Sequence, residues 1–106
     1  MYSDSEYDRI FKALGHASRR EILDLIKDKP YTTSELCLIL KKMDRCTVMQ
    51  HLNVLQKANL IKVKHRGKYR WNYMNLLPFQ ELHKRWITKF SEDAIDLLAK
   101  LKKDMD

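Results

Sequence analysis

Glycine, proline and cysteine are scarce in this 106-residue sequence, and long apolar runs are absent from it. Two glycines and two prolines leave little material for linkers, and we find neither internal repeats nor low-complexity segments. Cys37 and Cys46 are the only cysteines, and we expect free thiols rather than a disulfide. No apolar run approaches the roughly 18 residues that a membrane helix needs, and the segment MYSDSEYD lacks the basic and apolar parts of a signal peptide. These absences predict a cytoplasmic protein of one domain, with no membrane segment.

The positive charge is concentrated in one third of the chain. The formal net charge is +7, yet residues 1–40 and 74–106 are nearly neutral, at −1 and 0. Residues 41–73 carry nine Lys or Arg against one acidic residue, Asp44, a net charge of +8. Such asymmetry indicates a polyanionic partner. The alternative is a solvated basic face that has no partner.

Helical periodicity marks the first half of the chain. An apolar stripe over residues 7–14 predicts a first helix that ends at Gly15. We predict Ser18 as the N-cap of a second helix because Glu21, three residues later, completes a capping box. Pro30 then prevents this helix from continuing.

Two further N-cap signals follow closely. Thr32 and Glu35 repeat the capping-box spacing and predict a short helix over residues 33–42. Asp44 is the predicted N-cap of the next helix, which ends near Asn59. A turn of two residues, Met43 and Asp44, therefore joins these helices into a pair.

The periodicity changes after residue 60. Apolar residues alternate with cations over residues 61–66, and aromatic residues alternate with polar ones after Gly67. This predicts a two-stranded hairpin over residues 61–73 with a glycine turn. We expect Tyr69, Trp71 and Tyr73 to pack in the core beneath this hairpin. The predicted fold class is mainly α (α+β): a winged helix-turn-helix with about five helices and a two-stranded β-hairpin wing, occupying residues 1–106 as one domain.

The helix that follows Asp44 has two contrasting faces at 100° per residue. Val48, Leu52 and Leu55 lie on one face and are predicted to be buried. The opposite face is almost uncharged, although it lies in the most basic part of the chain. Gln and Asn suit adenine edges, Arg suits guanine and apolar groups touch the thymine methyl, whereas cations suit the flanking phosphates. We therefore predict that this face reads bases in double-stranded DNA. The predicted base-reading residues are Arg45, Cys46, Met49, Gln50 and Asn53. The predicted contacts to the DNA backbone, including the wing, are Lys41, Lys42, Lys57, Lys64, Arg66, Lys68 and Arg70.

A long helix over about residues 78–103 closes the chain. Its apolar stripe is too long to be covered by a domain of this size, so we predict that a second copy covers it. The alternative is a helix that folds back on its own domain. The stripe consists of Phe79, Leu82, Trp86, Phe90, Ala94, Leu97 and Leu101.

The region from about residue 11 to residue 73 resembles the ArsR/SmtB family of winged-helix repressors. Three segments carry the resemblance: FKALGHASRREILDLI, then TSEL, then RCTVMQHLNVLQKANLIKVKHRGKYRWNY. The tail is similar to the apparently metal-independent autorepressors of that family. The sequence departs from the family pattern at Cys46 and Met49, where serine is usual, and at Asn59, where glycine is usual. Gln50 stands where arginine is frequent.

The resemblance implies a dimeric repressor on an inverted-repeat operator. The first and last helices would form the interface, which adds Phe11 and Leu14 to the predicted interface residues. Repression would be relieved by a ligand or chemical signal that the resemblance does not specify. The family's reading positions fall on Arg45, Cys46, Met49 and Gln50. We expect Thr47 to contact a phosphate or cap the helix, and His51 to have a structural role.

The resemblance also bears on metal and redox sensing. Family metal sensors carry ELCxC in the third helix, but this sequence has ELCLI, with only Cys37 as a thiol ligand. The family's other metal site would need ligands where Ala94 and Leu97 stand. We therefore predict no metal and no cofactor. Cys46, beside Arg45 in the first turn of a helix, is either a redox-sensitive thiol or a small side chain that contacts a base or cap.

The sequence contains no catalytic constellation. There is no phosphate-binding glycine loop, and no pair of carboxylates or nucleophile with a base stands out. We predict that the protein is not an enzyme. The alternative function is a winged-helix module that binds proteins or RNA without sequence-specific DNA readout.

Overall fold

The computed structural model describes residues 2–105 and has the predicted winged helix-turn-helix architecture. The structure contains two compact units, and the boundary between them falls between Leu76 and Leu77. The elements of the first unit are α1 (Asp4–Leu14), α2 (Ala17–Ile26), β1 (Tyr31–Thr32), α3 (Thr33–Ile39), α4 (Arg45–Lys57), β2 (Ile61–Arg66) and β3 (Tyr69–Met74). The remaining elements are α5 (Leu76–Leu82), a π-helical turn (His83–Ile87) and α6 (Thr88–Met105).

Local signals place the starts of α3 and α4 where the sequence predicts them. Helix α3 ends at Ile39 rather than at residue 42, so the turn before α4 is longer than the predicted two residues. Thr32 and Glu35 form the expected capping box: the Thr32 hydroxyl accepts from the Glu35 backbone N–H at 3.1 Å, and the Glu35 carboxylate accepts from the Thr32 N–H at 3.1 Å. The prediction for α2 was wrong. Its N-cap is His16, whose Nδ1 accepts from the Ser18 backbone N–H at 3.2 Å. The imidazole supplies the acceptor that a hydroxyl would otherwise provide, so α2 begins before Ser18.

The core of the first unit is formed by α1–α4 and the sheet. The side chains that share this core are aliphatic and fully buried: Ile10, Ile22, Ile26, Leu36, Val48, Leu52, Leu55, Leu60 and Ile61. After α4 the chain turns at Asn59, which has a left-handed φ of 62°. Asparagine tolerates this conformation better than most residues do. The turn brings β2 alongside α4.

The sheet has three strands rather than the predicted two. All pairs are antiparallel, in the order β1-β3-β2, and a two-residue turn at Gly67–Lys68 joins β2 to β3. Gly67 has a φ of 60°, which favours glycine at this first turn position. The third strand, β1, contains only two residues and precedes α3 directly, so it is too short to be predicted from alternating residues.

The aromatic residues of β3 do not pack in the core, and that prediction was wrong. Asn72 is fully buried, whereas Trp71 and Tyr73 are half-buried and Tyr69 is 48% exposed. In the strand register Trp71 lies opposite Lys64 and Tyr73 opposite Lys62. The aromatic side chains therefore share one face of the wing with its cations, because directly paired residues point to the same side of a sheet.

The C-terminal helix is longer than predicted. Helical geometry begins at Leu76 and continues through the π-helical turn to Met105, because Leu82 and Thr88 on either side of that turn have helical dihedral angles. The Thr88 hydroxyl and His83 Nδ1 lie 2.9 Å apart across the turn. Thr88 is half-buried, and residues 89–105 of α6 are all exposed.

Candidate nucleic-acid interface

Helix α4 begins at a strong N-cap. The Asp44 carboxylate accepts from the Thr47 backbone N–H at 2.7 Å. Hydrogen bonds from the Thr47 backbone and side chain lower the pKa of Asp44 below its ordinary value. The charged carboxylate thus stays at the positive end of the helix dipole, and Thr47 takes part in the cap.

One face of α4 is buried and the opposite face is open. Val48, Leu52 and Leu55 are fully buried in the core, as predicted. The predicted base-reading residues lie on the open side: Arg45, Cys46, Gln50 and Asn53 are exposed, and Met49 is half-buried. The core contacts hold the helix so that these five side chains remain on the surface.

The polar groups of this face are available for hydrogen bonds to a ligand. Within residues 2–105, the side-chain amides of Gln50 and Asn53 form no hydrogen bond with another group. The Arg45 guanidinium lies 3.5 Å from the Ser34 hydroxyl, at the limit of a weak hydrogen bond. An exposed amide that can donate and accept at once matches the edge of adenine in the major groove.

Cations surround the open face of α4. Lys41 and Lys42 precede the helix, and Lys57 is its last residue. The wing adds four more exposed cations: Lys62, Lys64, Arg66 and Lys68. Two lysines stack on aromatic rings, with Lys64 Nζ 5.5 Å from the Tyr73 centroid and Lys68 Nζ 5.5 Å from the Tyr69 centroid. The rings support lysine stems whose charges point away from the core.

Arg70 differs from the other predicted cations because it bonds within the chain. Its Nη1 donates to Asn72 Oδ1 at 2.7 Å, and its Nη2 donates to Gln56 Oε1 at 3.1 Å. Burial lowers the pKa of Arg70 below its ordinary value. The cations that were predicted from charge to contact the DNA backbone therefore fall into two groups. Most are exposed, whereas the half-buried guanidinium of Arg70 joins the wing to α4.

A second set of contacts supports α4 from the side of α1 and α2. The Arg19 guanidinium donates to two carbonyl oxygens at the end of α1, Ala13 O at 2.8 Å and Lys12 O at 3.0 Å. Its Nη1 lies 3.4 Å from His51 Nδ1, and the His51 ring is 4.5 Å from the ring of His16. The role of Arg19 was missed, since its partners are up to 32 residues away in the sequence.

The two cysteines lie on different helices. Cys46 is exposed in the first turn of α4, and Cys37 is half-buried in α3; both are free thiols. Among residues 2–105, no three His, Cys, Asp or Glu side chains are grouped so as to hold a metal ion.

The predicted interface residues divide by exposure. Phe11 is 50% exposed in α1, and Leu14 is half-buried. In the C-terminal unit Leu82 is buried, while Phe79 and Trp86 are half-buried. The side chains of α6 are much more exposed: Phe90 59%, Leu97 58% and Leu101 50%, with Ala94 also exposed. Within the described part of the chain, no helix is long and apolar enough to cross a membrane.

Comparison with known proteins agrees with this geometry. Residues 16–63 match the model of the bacterial regulatory protein arsR family. The chain is 41% identical over 86 residues to the HTH-type transcriptional regulator YuzN of Bacillus subtilis strain 168, which is described as uncharacterized; the match covers 76% of this chain and 94% of YuzN. It is 27% identical over 74 residues to the transcriptional repressor SdpR of the same organism, covering 70% of this chain and 81% of SdpR.

Solved structures give the same result. An ArsR family transcriptional regulator, RHA00566, superimposes with a TM-score of 0.75 at 25% identity, covering 86% of this chain and 92% of that one. An ArsR-like transcriptional regulator from Rhodococcus sp. RHA1 shares the fold, with a TM-score of 0.77 at 23% identity over 95% of this chain and 91% of that one. The protein therefore belongs to the ArsR family of bacterial regulatory proteins, and it is a DNA-binding transcriptional regulator rather than an enzyme.

Proposed function

We propose that the protein is a dimeric repressor that reads an inverted-repeat DNA operator with α4. The observation that carries this proposal is the contrast around α4: a nearly neutral, exposed face surrounded by cations in a region of net charge +8. A surface that served only non-specific attraction would gain from lysine on this face. Uncharged amides there suit base edges instead.

We assign base reading to the exposed face of α4. Gln50 and Asn53 would recognise adenine through donor–acceptor pairs, Arg45 would recognise guanine, and Cys46 and Met49 would contact apolar groups such as the thymine methyl. Thr47 lies beside this face and would contact a phosphate in addition to its bond with Asp44. All of these residues except Asn53 lie in the first half of α4, which is the part of a recognition helix that meets base edges in helix-turn-helix proteins.

We assign phosphate contacts to the exposed cations around that face. Lys41, Lys42 and Lys57 flank α4, and the wing supplies Lys64, Arg66 and Lys68. These contacts would attract any duplex and would make binding strongly dependent on salt. Arg70 is not among these contacts, because its guanidinium bonds within the chain.

The dimer is proposed from the exposed apolar stripe of α6. Phe90, Ala94, Leu97 and Leu101 lie on one side of this helix, and a second copy would cover them together with Phe11 and Leu14 of α1. Two copies related by a two-fold axis would place two α4 helices in successive major grooves. SdpR, a relative of this chain, is a transcriptional repressor, and we propose that this protein also represses transcription. We propose the cytoplasm as its location.

Selection of bound duplexes from a random pool tests the proposal. We expect an inverted repeat whose half-sites lie about one helical turn apart, near 10 base pairs centre to centre. Enrichment of single, unpaired sites would contradict the dimeric arrangement. Equal retention of random duplexes, or preference for an RNA competitor, would instead support an RNA-binding or protein-interaction module.

A further inference from the structure

A chain of hydrogen bonds runs through the base of the wing and connects both helices of the helix-turn-helix. At one end, Asn72 Nδ2 donates to Tyr31 O at 3.1 Å and to Thr33 Oγ1, in the first turn of α3, at 3.2 Å. Asn72 Oδ1 then accepts from Arg70, which also donates to Gln56 near the end of α4. The wing is thus bonded to α3 and to α4 through side chains.

The chemistry of these groups fixes their orientation. A guanidinium can only donate, so the atom of Asn72 that faces Arg70 must be its oxygen, and its nitrogen must point to Tyr31 and Thr33. Asn72 is fully buried, and Thr33 is 3% exposed. A buried amide that lost these partners would carry a substantial desolvation cost, so the bonds favour one arrangement of β3 against α3.

The connection stops just before the exposed part of the hairpin. Beyond Arg70 lies the wing tip, residues 66–69, which contains Arg66 and Lys68 and is exposed throughout. His65, the cross-strand partner of Arg70, is also exposed. The direction of the wing tip is therefore set by the base of the hairpin, where Arg70 and Asn72 lie.

We propose that Arg70 and Asn72 are positioning residues that hold the wing tip in a fixed place relative to α4, and that Arg70 is not itself a phosphate contact. This inference rests on the proposed function, because it concerns how the wing and α4 engage the same duplex. When α4 is in its groove, a rigid connection presents the wing tip to the backbone at a high effective concentration. A loosened connection lowers this concentration, although every contacting cation is still present.

Two substitutions separate positioning from direct contact. Gln56→Ala removes the anchor of Arg70 on α4, changes no charge and affects an exposed residue. Arg70→Lys keeps the positive charge but removes the planar fork that bridges two acceptors. If Arg70 touched a phosphate, the lysine would preserve most of the attraction. If it positions the wing, both variants behave alike.

The decisive experiment is a double-mutant cycle with Lys68→Ala. Affinity is measured across a salt series for a selected duplex of about 30 base pairs, three helical turns. Loss of one phosphate contact lowers the salt slope by about 0.9, which corresponds to about eightfold weaker binding at 0.1 M salt. We expect Lys68→Ala to have this effect in the parent protein, but to weaken binding less than about threefold when Gln56→Ala or Arg70→Lys is present. Circular dichroism checks that each variant is folded; if Arg70→Lys unfolds, Gln56→Ala alone decides.

The outcomes distinguish this inference from the proposed function. An equal effect of Lys68→Ala in all backgrounds would overturn the positioning role and leave the proposed function intact. No effect of Lys68→Ala in the parent protein would contradict the wing contact in the proposed function, and the positioning role with it. A third outcome is that Arg70→Met weakens duplex binding by an amount that adds to the effect of Lys68→Ala, while Arg70→Lys binds like the parent protein. That result would show that Arg70 contacts a phosphate directly.

Discussion

Substituting Leu97 by alanine should strongly weaken the dimer that we propose, because a two-fold interface contains each contact twice. Leu97 is 58% exposed in the single chain, so about half of its side chain remains to be buried by a partner. Full burial of a leucine side chain stabilises by roughly 1.5–3 kcal/mol. The half that is covered on dimerisation therefore contributes about 1 to 1.5 kcal/mol per copy, or about 2 to 3 kcal/mol per dimer. We expect Leu97→Ala to raise the dimer dissociation constant roughly thirty- to two-hundred-fold.

Analytical ultracentrifugation over a concentration series measures this effect. Glu92→Ala is the matched control, because Glu92 is also exposed on α6 but lies on the side opposite the apolar stripe. We expect Glu92→Ala to dimerise like the parent protein. An unchanged dissociation constant for Leu97→Ala, or a parent protein that is monomeric when bound to its operator, would refute the assignment of the α6 stripe as the dimer interface.

Three further predictions concern the support and chemistry of α4. Burial of the His51 ring, and to a lesser extent the charges of His16 and Arg19, lower the pKa of His51 from its ordinary 6.5. The stability that the neutral ring contributes is therefore present above about pH 6.5, and it is lost as the pH falls through the lower pKa of the folded state. Urea unfolding at about pH 5 and pH 7.5 should show this loss in the parent protein and less of it in His51→Gln; identical pH dependence in both would contradict the role given to His51. Leu52→Ala should lower the free energy of unfolding by roughly 2–5 kcal/mol because Leu52 is fully buried, and a loss below about 0.5 kcal/mol in urea titration, typical of a surface residue, would argue against this packing. Peroxide should oxidise the exposed Cys46 on the open face of α4 and weaken DNA binding, and a thiol reductant should restore that binding, as measured by gel shift; an equal response in Cys46→Ser would exclude this thiol.

Features with local causes could be predicted from the sequence. The cap at Asp44 depends on residues three positions apart, and the buried stripe of α4 depends on helical periodicity. Both were confirmed because a helix brings near neighbours together whatever the rest of the fold does. The hairpin and its glycine turn were also predictable, because a two-residue turn pairs residues that are close in the sequence.

Features with distant partners could not be predicted in this way. The alternation in β3 suggested that its aromatic residues face the core, but the side chain that is fully buried there is Asn72. Its partners Tyr31 and Thr33 are 41 and 39 residues away, and the two-residue strand β1 that helps to bury it has no periodicity of its own. The polarity of the side chains therefore predicted the wrong face of β3 to be buried, because hydrogen bonds with remote residues allow the amide of Asn72 to lie in the core.

The candidate interface shows the same division. Charge and helical spacing were sufficient to identify the open face of α4 and the exposed cations around it. They were not sufficient to distinguish Lys68 from Arg70, since both are cations of the same strongly basic hairpin. Only the contacts of Arg70 with Gln56 and Asn72 separate a cation that is available to DNA from one that bonds within the chain.

A comparison of Gln50→Ala with Lys68→Ala tests the central claim most directly, namely that the neutral face of α4 reads bases while the surrounding cations supply attraction. Binding to the selected operator and to a scrambled duplex is measured for both variants over a salt series. We predict that Gln50→Ala narrows the difference between the two duplexes by about 1–3 kcal/mol without changing the salt slope. Lys68→Ala should weaken both duplexes alike and reduce the slope by about one unit. Equal effects of the two substitutions on both duplexes and on the slope would contradict groove reading by α4.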